Sequence, residues 1–246
     1  VTGVEGRTMI IVIDTNVWLS ELGLNSHAGT ALRFFMRKKQ ARLAIPEVVR
    51  LEVQRHIRED LRDHIESMRK SYRSLLAVFG KLKELVLPTD ADIEAKVASF
   101  FDALAVDTVA VSFSLESARS SFAKTVEKVP PSDRDQQFKD GVIWADCVKL
   151  LEQDDVVLLT ADKAFYRDRK YELGIASNLA AEATGHAHAL TIRHELGALL
   201  KEIQIEVVIS DDDVVAAISA ATKESTRALL ERLGFALGSR LDVSSR

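Results

Sequence analysis

The feature that most constrains this chain is a short run of aliphatic, mostly β-branched residues that ends in an acid. The run IIVIDTNVWLS begins with four aliphatic residues and places Asp14 directly after them. β-branched residues favour strands, and an apolar run without polar alternation is typical of a strand buried on both faces. We therefore expect Ile10–Ser20 to be a buried strand that delivers Asp14 to a functional site.

Two more apolar runs indicate further strands. VVLLT spans Val156–Thr160 and ALTI spans Ala189–Ile192, and amphipathic helices are predicted over Thr30–Lys39 and Phe138–Glu152. The segment RLAIPEVV predicts another brief strand, after which Pro46 is positioned to start a helix. Strands that alternate with helices imply a parallel sheet covered on both faces. The sequence therefore predicts an α/β fold with three layers, α/β/α, and a central parallel sheet.

The middle of the chain carries a long helical pattern. Apolar residues step by three and four from Val53 to Phe79, which makes one stripe along a helix. A second pattern of this kind runs from Ile93 to Leu104. We interpret residues 57–128 as a helical-hairpin insertion carried on the core domain.

The domain organisation follows from these patterns. We expect a core domain over residues 9–203, which includes the insertion, and a C-terminal extension over residues 204–246. The extension begins with the apolar segment EVVIS, a predicted strand, and continues with a predicted helix. Three acids are placed to cap that helix rather than to bind a metal, namely Asp211, Asp212 and Asp213.

Composition narrows the class of protein. The chain has 246 residues, of which 47% are hydrophobic, and that is ample for a packed core. Its single cysteine, Cys147, excludes an intramolecular disulfide and favours a reducing, cytoplasmic compartment. No apolar run reaches the roughly 18 residues that span a bilayer, and the first residues do not resemble a signal peptide. We therefore expect no membrane partner.

The formal net charge of −4 hides a local basic segment. Between Arg33 and Arg73 there are 12 Lys or Arg against 6 Asp or Glu, a net of +6. Five arginines surround the helix predicted to bear Glu52, which fits either phosphate contact or an ordinary solvated helix face. These arginines are Arg50, Arg55, Arg58, Arg62 and Arg69.

Four acids are candidates for one site. Ligands of open α/β sheets gather at the carboxyl ends of the strands, and Asp14 and Asp162 follow two predicted strands. Glu52 and Asp140 lie near helix starts, beside apolar faces. Inward carboxylates must be paired, neutralised or bound to a cation, and Mg²⁺ or Mn²⁺ relieves their repulsion through oxygen ligands. The alternatives are turn acids at Asp14 and Asp162, and a helix N-terminal acid at Asp140.

Other reactive side chains have structural interpretations. Asp146 lies six residues after Asp140 and therefore on a different helix face, so we expect it in solvent or just behind the ligands. His186 and His188 alternate before a strand, and no nearby residue completes a zinc site. Cys147 lies in an apolar pattern, and we expect it to pack in the core.

Taken in order, these motifs resemble those of the PIN-domain nucleases. The resemblance rests on IVIDTNVWLS, on Glu52 at a helix start, on KDGVIWADCV and on LLTADKAF. It covers Met9 to about Ile192 if the helical hairpin is treated as an insertion. It points to a larger branch of the family rather than to the minimal toxin type, which is much shorter.

The resemblance implies a metal-dependent phosphodiesterase, most often an endoribonuclease, that uses a metal-activated water and leaves a 5′ phosphate. It implies that Mg²⁺ or Mn²⁺ is held by the four acids, Asp14, Glu52, Asp140 and Asp162. The side chains that would hydrogen-bond the carboxylates or contact a substrate phosphate are Asn16, Thr160, Lys163 and Arg55. The expected partner is RNA, and a second copy of the chain and an inhibitory or antitoxin-like protein are further candidates.

Three other functions stay open at this point. A degenerate, catalytically weak PIN-like module would bind nucleic acid or protein, and a structure-specific DNA nuclease would use the same four acids. A phosphatase of the haloacid dehalogenase type also places an acid after its first strand. That chemistry requires a second Asp two residues later, where this chain has Asn16. The presence of all four acids favours an active nuclease.

Overall fold

The computed structural model describes residues 9–21 and 23–203. They form a five-stranded sheet in which all neighbours are parallel, with the order β3-β2-β1-β4-β5. The strands are β1 (Met9–Ile13), β2 (Arg42–Pro46), β3 (Thr108–Val111), β4 (Asp155–Leu159) and β5 (Leu190–Arg193). The predicted three-layer α/β/α fold with a central parallel sheet is confirmed.

Helices connect the successive strands, because parallel neighbours cannot be joined by a tight turn. Within the described residues they are α1 (Thr15–Ser20), α2 (His27–Lys39), α3 (Glu47–Phe79), α4 (Asp90–Ala98), α5 (Leu115–Glu127), α6 (Phe138–Leu150), α7 (Ser177–Ala183) and α8 (Leu196–Glu202). Short 3₁₀ turns occupy Asp102–Leu104, Lys163–Phe165, Arg167–Arg169 and Tyr171–Leu173.

The strands β1 and β4 lie side by side in the interior of the sheet, with Ile13 opposite Leu159. The aliphatic side chains of β1 from Ile10 to Ile13 are fully buried, as are those of Leu158 and Leu159. From β1 the sheet continues through β2 on one side and through β4 on the other. Strand order therefore reverses here, and such reversals open a crevice at the carboxyl ends of the strands.

The strand that precedes Asp14 is shorter than predicted. β1 ends at Ile13, and the next residues form α1, so the prediction of one strand from Ile10 to Ser20 is wrong beyond Ile13. The reason is local, because the Asp14 carboxylate accepts a hydrogen bond from the next backbone N–H and caps the helix. Trp18 then turns into the core. Asp14 keeps its predicted place directly after the buried strand.

The helices α3 and α4 form the predicted hairpin. They pack through a small buried cluster of Ile65, Ile93 and Val97, which is separate from the main core. α3 has 33 residues whereas α4 has 9, so α4 is too short to cover the outer part of the predicted apolar stripe. Met68 is 50% exposed and Phe79 is 68% exposed. The stripe is therefore buried only over its inner part.

The segment 105–128 departs from the prediction. The sequence predicts a helical insertion over residues 57–128, yet this segment contributes β3, which pairs with β2, and then α5. β3 has four residues that alternate between exposed and half-buried, so it lacks the continuous apolar run of an inner strand. α5 packs closely on α6, where a Cβ at Gly141 would overlap the Ser121 hydroxyl. The hairpin therefore ends before β3.

The other predicted strands are displaced by one residue. β4 spans Asp155–Leu159 rather than Val156–Thr160, and β5 spans Leu190–Arg193 rather than Ala189–Ile192. The predicted C-terminal extension, residues 204–246, lies outside the described residues. None of the helices among residues 9–21 and 23–203 combines the length and the apolar composition of a membrane-spanning segment.

Candidate active site

Asp14 is held firmly at the carboxyl end of β1. Its Oδ1 accepts a hydrogen bond from the backbone N–H of Thr15 at 2.7 Å. Its Oδ2 accepts from Asn16 Nδ2 at 2.9 Å and from the Thr160 hydroxyl at 2.6 Å. Burial raises the pKa of Asp14, and two neighbouring carboxylates add to that rise, while the hydrogen bonds from Thr160 and Thr15 oppose it. The net result is a raised pKa.

Asp162 lies just after β4, the neighbouring strand. Its backbone N–H donates to Thr160 Oγ1 at 3.0 Å, and its Oδ1 accepts from the N–H two residues further on at 2.7 Å. The N–H of Ala161 donates to the side-chain oxygen of Asn16 at 3.2 Å. Because the Thr160 hydroxyl also donates to Asp14, a single hydroxyl joins the ends of the two strands.

Asp140 lies in the first turn of α6 and interacts with both strand ends. Its Oδ2 is buried and has no hydrogen-bond partner among the described residues. Burial raises the pKa of Asp140 to about 8, and the negative charges of Asp14 and Asp162 contribute to that rise. A hydrogen bond with Asp162 acts in the same direction, while Lys139 opposes it. An acid in this position holds a proton near neutral pH unless a cation binds beside it.

Glu52 lies on the second turn of α3 and completes the group. Its Oε2 accepts from the Thr15 hydroxyl at 2.9 Å, and its Oε1 is ion-paired with Lys139 Nζ. Burial disfavours the charge of Glu52, but these two contacts outweigh burial and lower its pKa. Lys139 immediately precedes Asp140 and also lowers the pKa of that residue. One ammonium therefore balances charge at two of the four acids.

The four predicted acids lie at the carboxyl ends of β1 and β4, near enough for the charges of Asp162 and Glu52 to raise the pKa of Asp14 and for those of Asp14 and Asp162 to raise that of Asp140. We call this group the acid cluster: Asp14, Glu52, Asp140 and Asp162. As the side chains are placed, no three His, Cys, Asp or Glu residues of the described chain form a set that could hold a metal ion. Within the cluster, Lys139 is ion-paired with Glu52, and the negative charges of Asp14 and Asp162 raise the pKa of Asp140. The metal-binding roles of these residues stay a prediction.

Two cations predicted to contact phosphate have partners within the protein. Lys163 follows Asp162, and its Nζ lies 5.4 Å from the centroid of the Tyr171 ring. Arg55 pairs with Glu59, one turn further along α3, at 2.7 Å. Lys163 thus lies next to the acid cluster, whereas the guanidinium of Arg55 is directed to a carboxylate outside it. Their predicted roles toward substrate stay untested.

The remaining arginines of α3 also have acidic neighbours. Arg58 and Arg62 bind Glu94 of α4 at 2.7 and 3.3 Å, so they help to hold the hairpin together. Arg50 and Arg69 each lie 3.9 Å from an acid one turn away on α3. Each of these arginines therefore has a carboxylate neighbour within the protein, which favours a solvated helix face over broad contact with RNA.

Asp146 is buried, so of its two predicted places the one in solvent is wrong, and the one just behind the ligands stays a prediction. It is 1% exposed, its Oδ1 accepts from the Ser117 hydroxyl at 2.6 Å, and its Oδ2 has no partner among the described residues. Burial raises the pKa of Asp146 to about 6, against the opposing effects of Ser117 and Lys149. The physical reason is α5, which the sequence interpretation lacks and which covers this side of α6.

Sequence reasoning missed Lys139 and Thr15 as members of the site. Each directly adjoins a predicted acid, in the motifs KDGV and DTNV, and that adjacency is the signal by which they could be found. Cys147 is buried, as predicted. His188 Nδ1 lies 3.6 Å from Asp155, away from the acid cluster. The predicted capping acids of the extension lie outside the described residues.

The fold and the site place the chain in a class of α/β proteins. In this class, carboxylates lie together where the strand order of a parallel sheet reverses. The PIN domain family matches residues 11–165, which is more than half of the chain and includes the whole acid cluster. The chain therefore belongs to the PIN domain family, as its motifs predict. Members of this family are generally nucleases and typically use divalent metals. No curated protein and no solved structure matches the chain.

Proposed function

We propose that this chain is a divalent-metal-dependent endoribonuclease that hydrolyses phosphodiester bonds by attack of water. The observation that carries the proposal is the acid cluster, in which a buried oxygen of Asp140 has no partner among the described residues. A buried carboxylate oxygen without a partner destabilises the resting fold, and it is suited to ligate a cation.

The donor set fits a hard cation, because the cluster offers carboxylate oxygens and Mg²⁺ and Mn²⁺ prefer oxygen ligands. Asp14, Asp140 and Asp162 would hold one or two ions, and Glu52 would act as a further ligand, partly through water. When bound, the ion lowers the pKa of water and stabilises charge on the phosphate during in-line attack. Because a cation favours an ionised ligand, Asp140 would release its proton on binding.

The chain's own side chains set the geometry of the reaction. Thr160 and Asn16 orient the Asp14 carboxylate through hydrogen bonds to Oδ2. Lys139 and Lys163 are exposed cations that directly adjoin two acids of the cluster, and there they would contact substrate phosphates. The product would carry a 5′ phosphate, since water and not the RNA 2′-hydroxyl is the nucleophile.

A second candidate function is favoured by a specific observation. No three acids of the described residues are placed to hold an ion, and Lys139 already neutralises Glu52. In a catalytically weak PIN-like module that only binds nucleic acid or protein, these contacts would be permanent. In a nuclease, a cation would replace them. A structure-specific DNA nuclease would use the same cluster and would differ only in its substrate.

The test is cleavage of end-labelled single-stranded RNA with Mg²⁺ or Mn²⁺ and with EDTA. We expect cleavage only with metal, and we expect Asp14→Asn to abolish it while the fold is retained. Asparagine keeps the size of the Asp14 side chain and one acceptor oxygen, and thermal unfolding checks that the fold is retained, because the new amide faces an N–H of either Thr15 or Asn16. The matched control is Asp63→Asn, which changes an exposed acid of α3 and should leave cleavage unchanged.

Three results would change the proposal. Absence of metal-stimulated cleavage of any RNA or DNA would contradict the enzyme and leave the binding module. Cleavage of structured DNA but not of RNA would favour the DNA nuclease. Products that end in a 2′,3′-cyclic phosphate would show that the 2′-hydroxyl is the nucleophile and would contradict the proposed chemistry.

A further inference from the structure

Two aromatic rings stack beside the acid cluster and have no role in the function proposed above. The imidazole of His194 lies nearly parallel to the ring of Tyr171, with 4.5 Å between the centroids and 12° between the planes. His194 directly follows β5, and β5 pairs with β4, whose carboxyl end leads to Asp162. The stack therefore lies at the same edge of the sheet as the acids.

The ring of Tyr171 is fastened to the loop that carries Asp162. Its hydroxyl donates to the carbonyl of Ala161 at 2.7 Å, and its ring meets Tyr166 edge-on at 4.9 Å between centroids. The hydroxyl of Tyr166 in turn donates to the carbonyl of Thr160 at 3.0 Å. Two tyrosine hydroxyls thus hold the two consecutive carbonyls before Asp162. The position of the stack is therefore coupled to the position of that carboxylate.

A cation lies beside the same rings. Lys163 Nζ is 5.4 Å from the centroid of Tyr171, within the range of a cation–π contact. Lys163 also directly follows Asp162 and is exposed. A few residues therefore present a carboxylate, an ammonium and an aromatic pair side by side. Proteins that bind single-stranded nucleic acid combine positive charge for the backbone with aromatic rings for the bases.

The imidazole of His194 is accessible to a further ring. Its side chain is 38% exposed, and among the described residues Tyr171 is the one aromatic ring that stacks on it. Tyr171 supports the imidazole from one side, and the exposed area of His194 is where a flat ligand would contact it. A nucleobase has the flat π-face that such a contact requires.

We infer that the Tyr171–His194 pair is a binding subsite for an unpaired nucleobase next to the scissile phosphate. This inference rests on the proposed nuclease function, and it adds that the substrate is single-stranded at this position. A base inside a duplex is covered on both faces by its neighbours, so it would have to leave the helix to stack on His194. Lys163 contacts the phosphate of the same nucleotide. Because every base has a π-face, the subsite accepts all four bases.

The first arm of the test compares binding of a short, fluorescein-labelled single-stranded RNA with binding of the same sequence as a duplex. EDTA is present, so no metal-dependent cleavage occurs. His194→Ala should weaken binding of the single strand by roughly 5- to 100-fold, the range expected for one stacked base. His194→Phe, which keeps a ring, and the matched control His186→Ala should bind as the wild type does. Duplex binding should be the same for all of them.

The second arm uses an abasic strand of the same length with the wild-type protein. This strand keeps the phosphates, so the wild type should bind it about as weakly as His194→Ala binds the intact strand. His194→Ala should lose nothing further on the abasic strand. If His194→Ala does not fold, as judged by thermal unfolding, His194→Gln, which also removes the ring, takes its place in both arms.

Two results would overturn the inference. One is equal binding of the intact single strand by His194→Ala and His186→Ala. The other is equal binding of abasic and intact strands by the wild type. Both arms are measured without metal, so they are independent of cleavage. Metal-dependent cleavage without an effect of His194 would refute the subsite alone, whereas a His194-dependent preference for single strands without cleavage would refute the enzyme alone.

Discussion

Asp140 and Asp146 lie on the same helix, six residues apart, and differ in what surrounds them. Each has one buried oxygen without a partner among the described residues, and burial raises the pKa of each. Asp140 lies at the carboxyl edge of the sheet, where two further carboxylates raise its pKa. Asp146 lies beneath α5, where its hydrogen-bond donor is the Ser117 hydroxyl.

This comparison shows which surroundings make a buried acid a candidate metal ligand. At the carboxyl edge, a single divalent cation would satisfy Asp140 and the acids beside it together, so the unfavourable burial has a chemical use. At Asp146, the hydrogen-bond donor is the neutral hydroxyl of Ser117. Asp146 is a single buried carboxylate, and its ionised form destabilises the fold. A buried carboxylate oxygen without a partner therefore lies among other acids at Asp140 and apart from them at Asp146, and only the first is a proposed metal ligand.

The largest effect is expected at Asp140, where the stability of the fold should depend on pH and metal more strongly than at Asp146. The pKa of Asp140 is about 8 in the fold, against about 4 in an unfolded chain, so the folded state binds the proton more tightly between these values. Stability therefore falls as pH rises from about 4 to 8. Above pH 8 and in EDTA, Asp140→Asn should raise the free energy of unfolding by several kcal/mol, as measured by urea denaturation.

Metal should make the wild type more stable than Asp140→Asn, the reverse of the order expected in EDTA. In saturating Mn²⁺ the wild type is stabilised by the bound ion, whereas Asp140→Asn lacks a ligand and gains less. If the wild type and Asp140→Asn have the same free energy of unfolding above pH 8 in EDTA, the ionised Asp140 does not destabilise the metal-free fold. A Mn²⁺ effect of the same size on both proteins would remove Asp140 from the proposed ligands.

A smaller effect is expected at Asp146. Its pKa of about 6 confines the loss of stability to the rise from about pH 4 to 6, by the same sign argument. Asp146→Asn keeps an oxygen that accepts from Ser117, so well above pH 6 it should raise the free energy of unfolding by up to about 3 kcal/mol. The gain should be the same in EDTA and in Mn²⁺. A gain that disappears in Mn²⁺ would place Asp146 in the metal site.

The smallest effect on stability is expected at Lys139. Its side chain is 54% exposed, and ion pairs of this kind contribute less than about 1 kcal/mol. Lys139→Met should therefore change unfolding in EDTA very little, yet it frees Glu52 and should tighten Mn²⁺ binding several-fold in calorimetry. The matched control is Lys170→Met, another exposed lysine. Unchanged Mn²⁺ affinity in Lys139→Met would mean that this lysine does not compete with the ion.

The parts of the molecule that could be predicted from sequence are those that follow strong apolar patterns. Asp14 and Asp162 follow strands whose side chains are almost wholly buried, so the acids stand out where each pattern ends. Asp140 and Glu52 are recognisable as acids beside the apolar face of a helix. Their convergence follows from the rule that parallel strands gather ligands at one edge.

The parts that could not be predicted depend on weak or distant signals. β3 has four residues that alternate between exposed and half-buried, so it lacks the continuous apolar run of the inner strands, and α5 and the burial of Asp146 are missed with it. The Lys139–Glu52 pair joins residues 87 positions apart, and no local pattern encodes such a contact. Arg58 and Arg62 are paired with Glu94 of α4, which lies outside the basic segment, so counting charges within that segment does not show this pairing.

The length of α3 has a consequence for the reach of the molecule. An α-helix rises about 1.5 Å per residue, so these 33 residues form a rod about 50 Å long. Glu52 lies near one end of the rod and Phe79 at the other, which puts about 40 Å between them. A macromolecule held by the apolar residues at the far end would be kept at that distance from the acids.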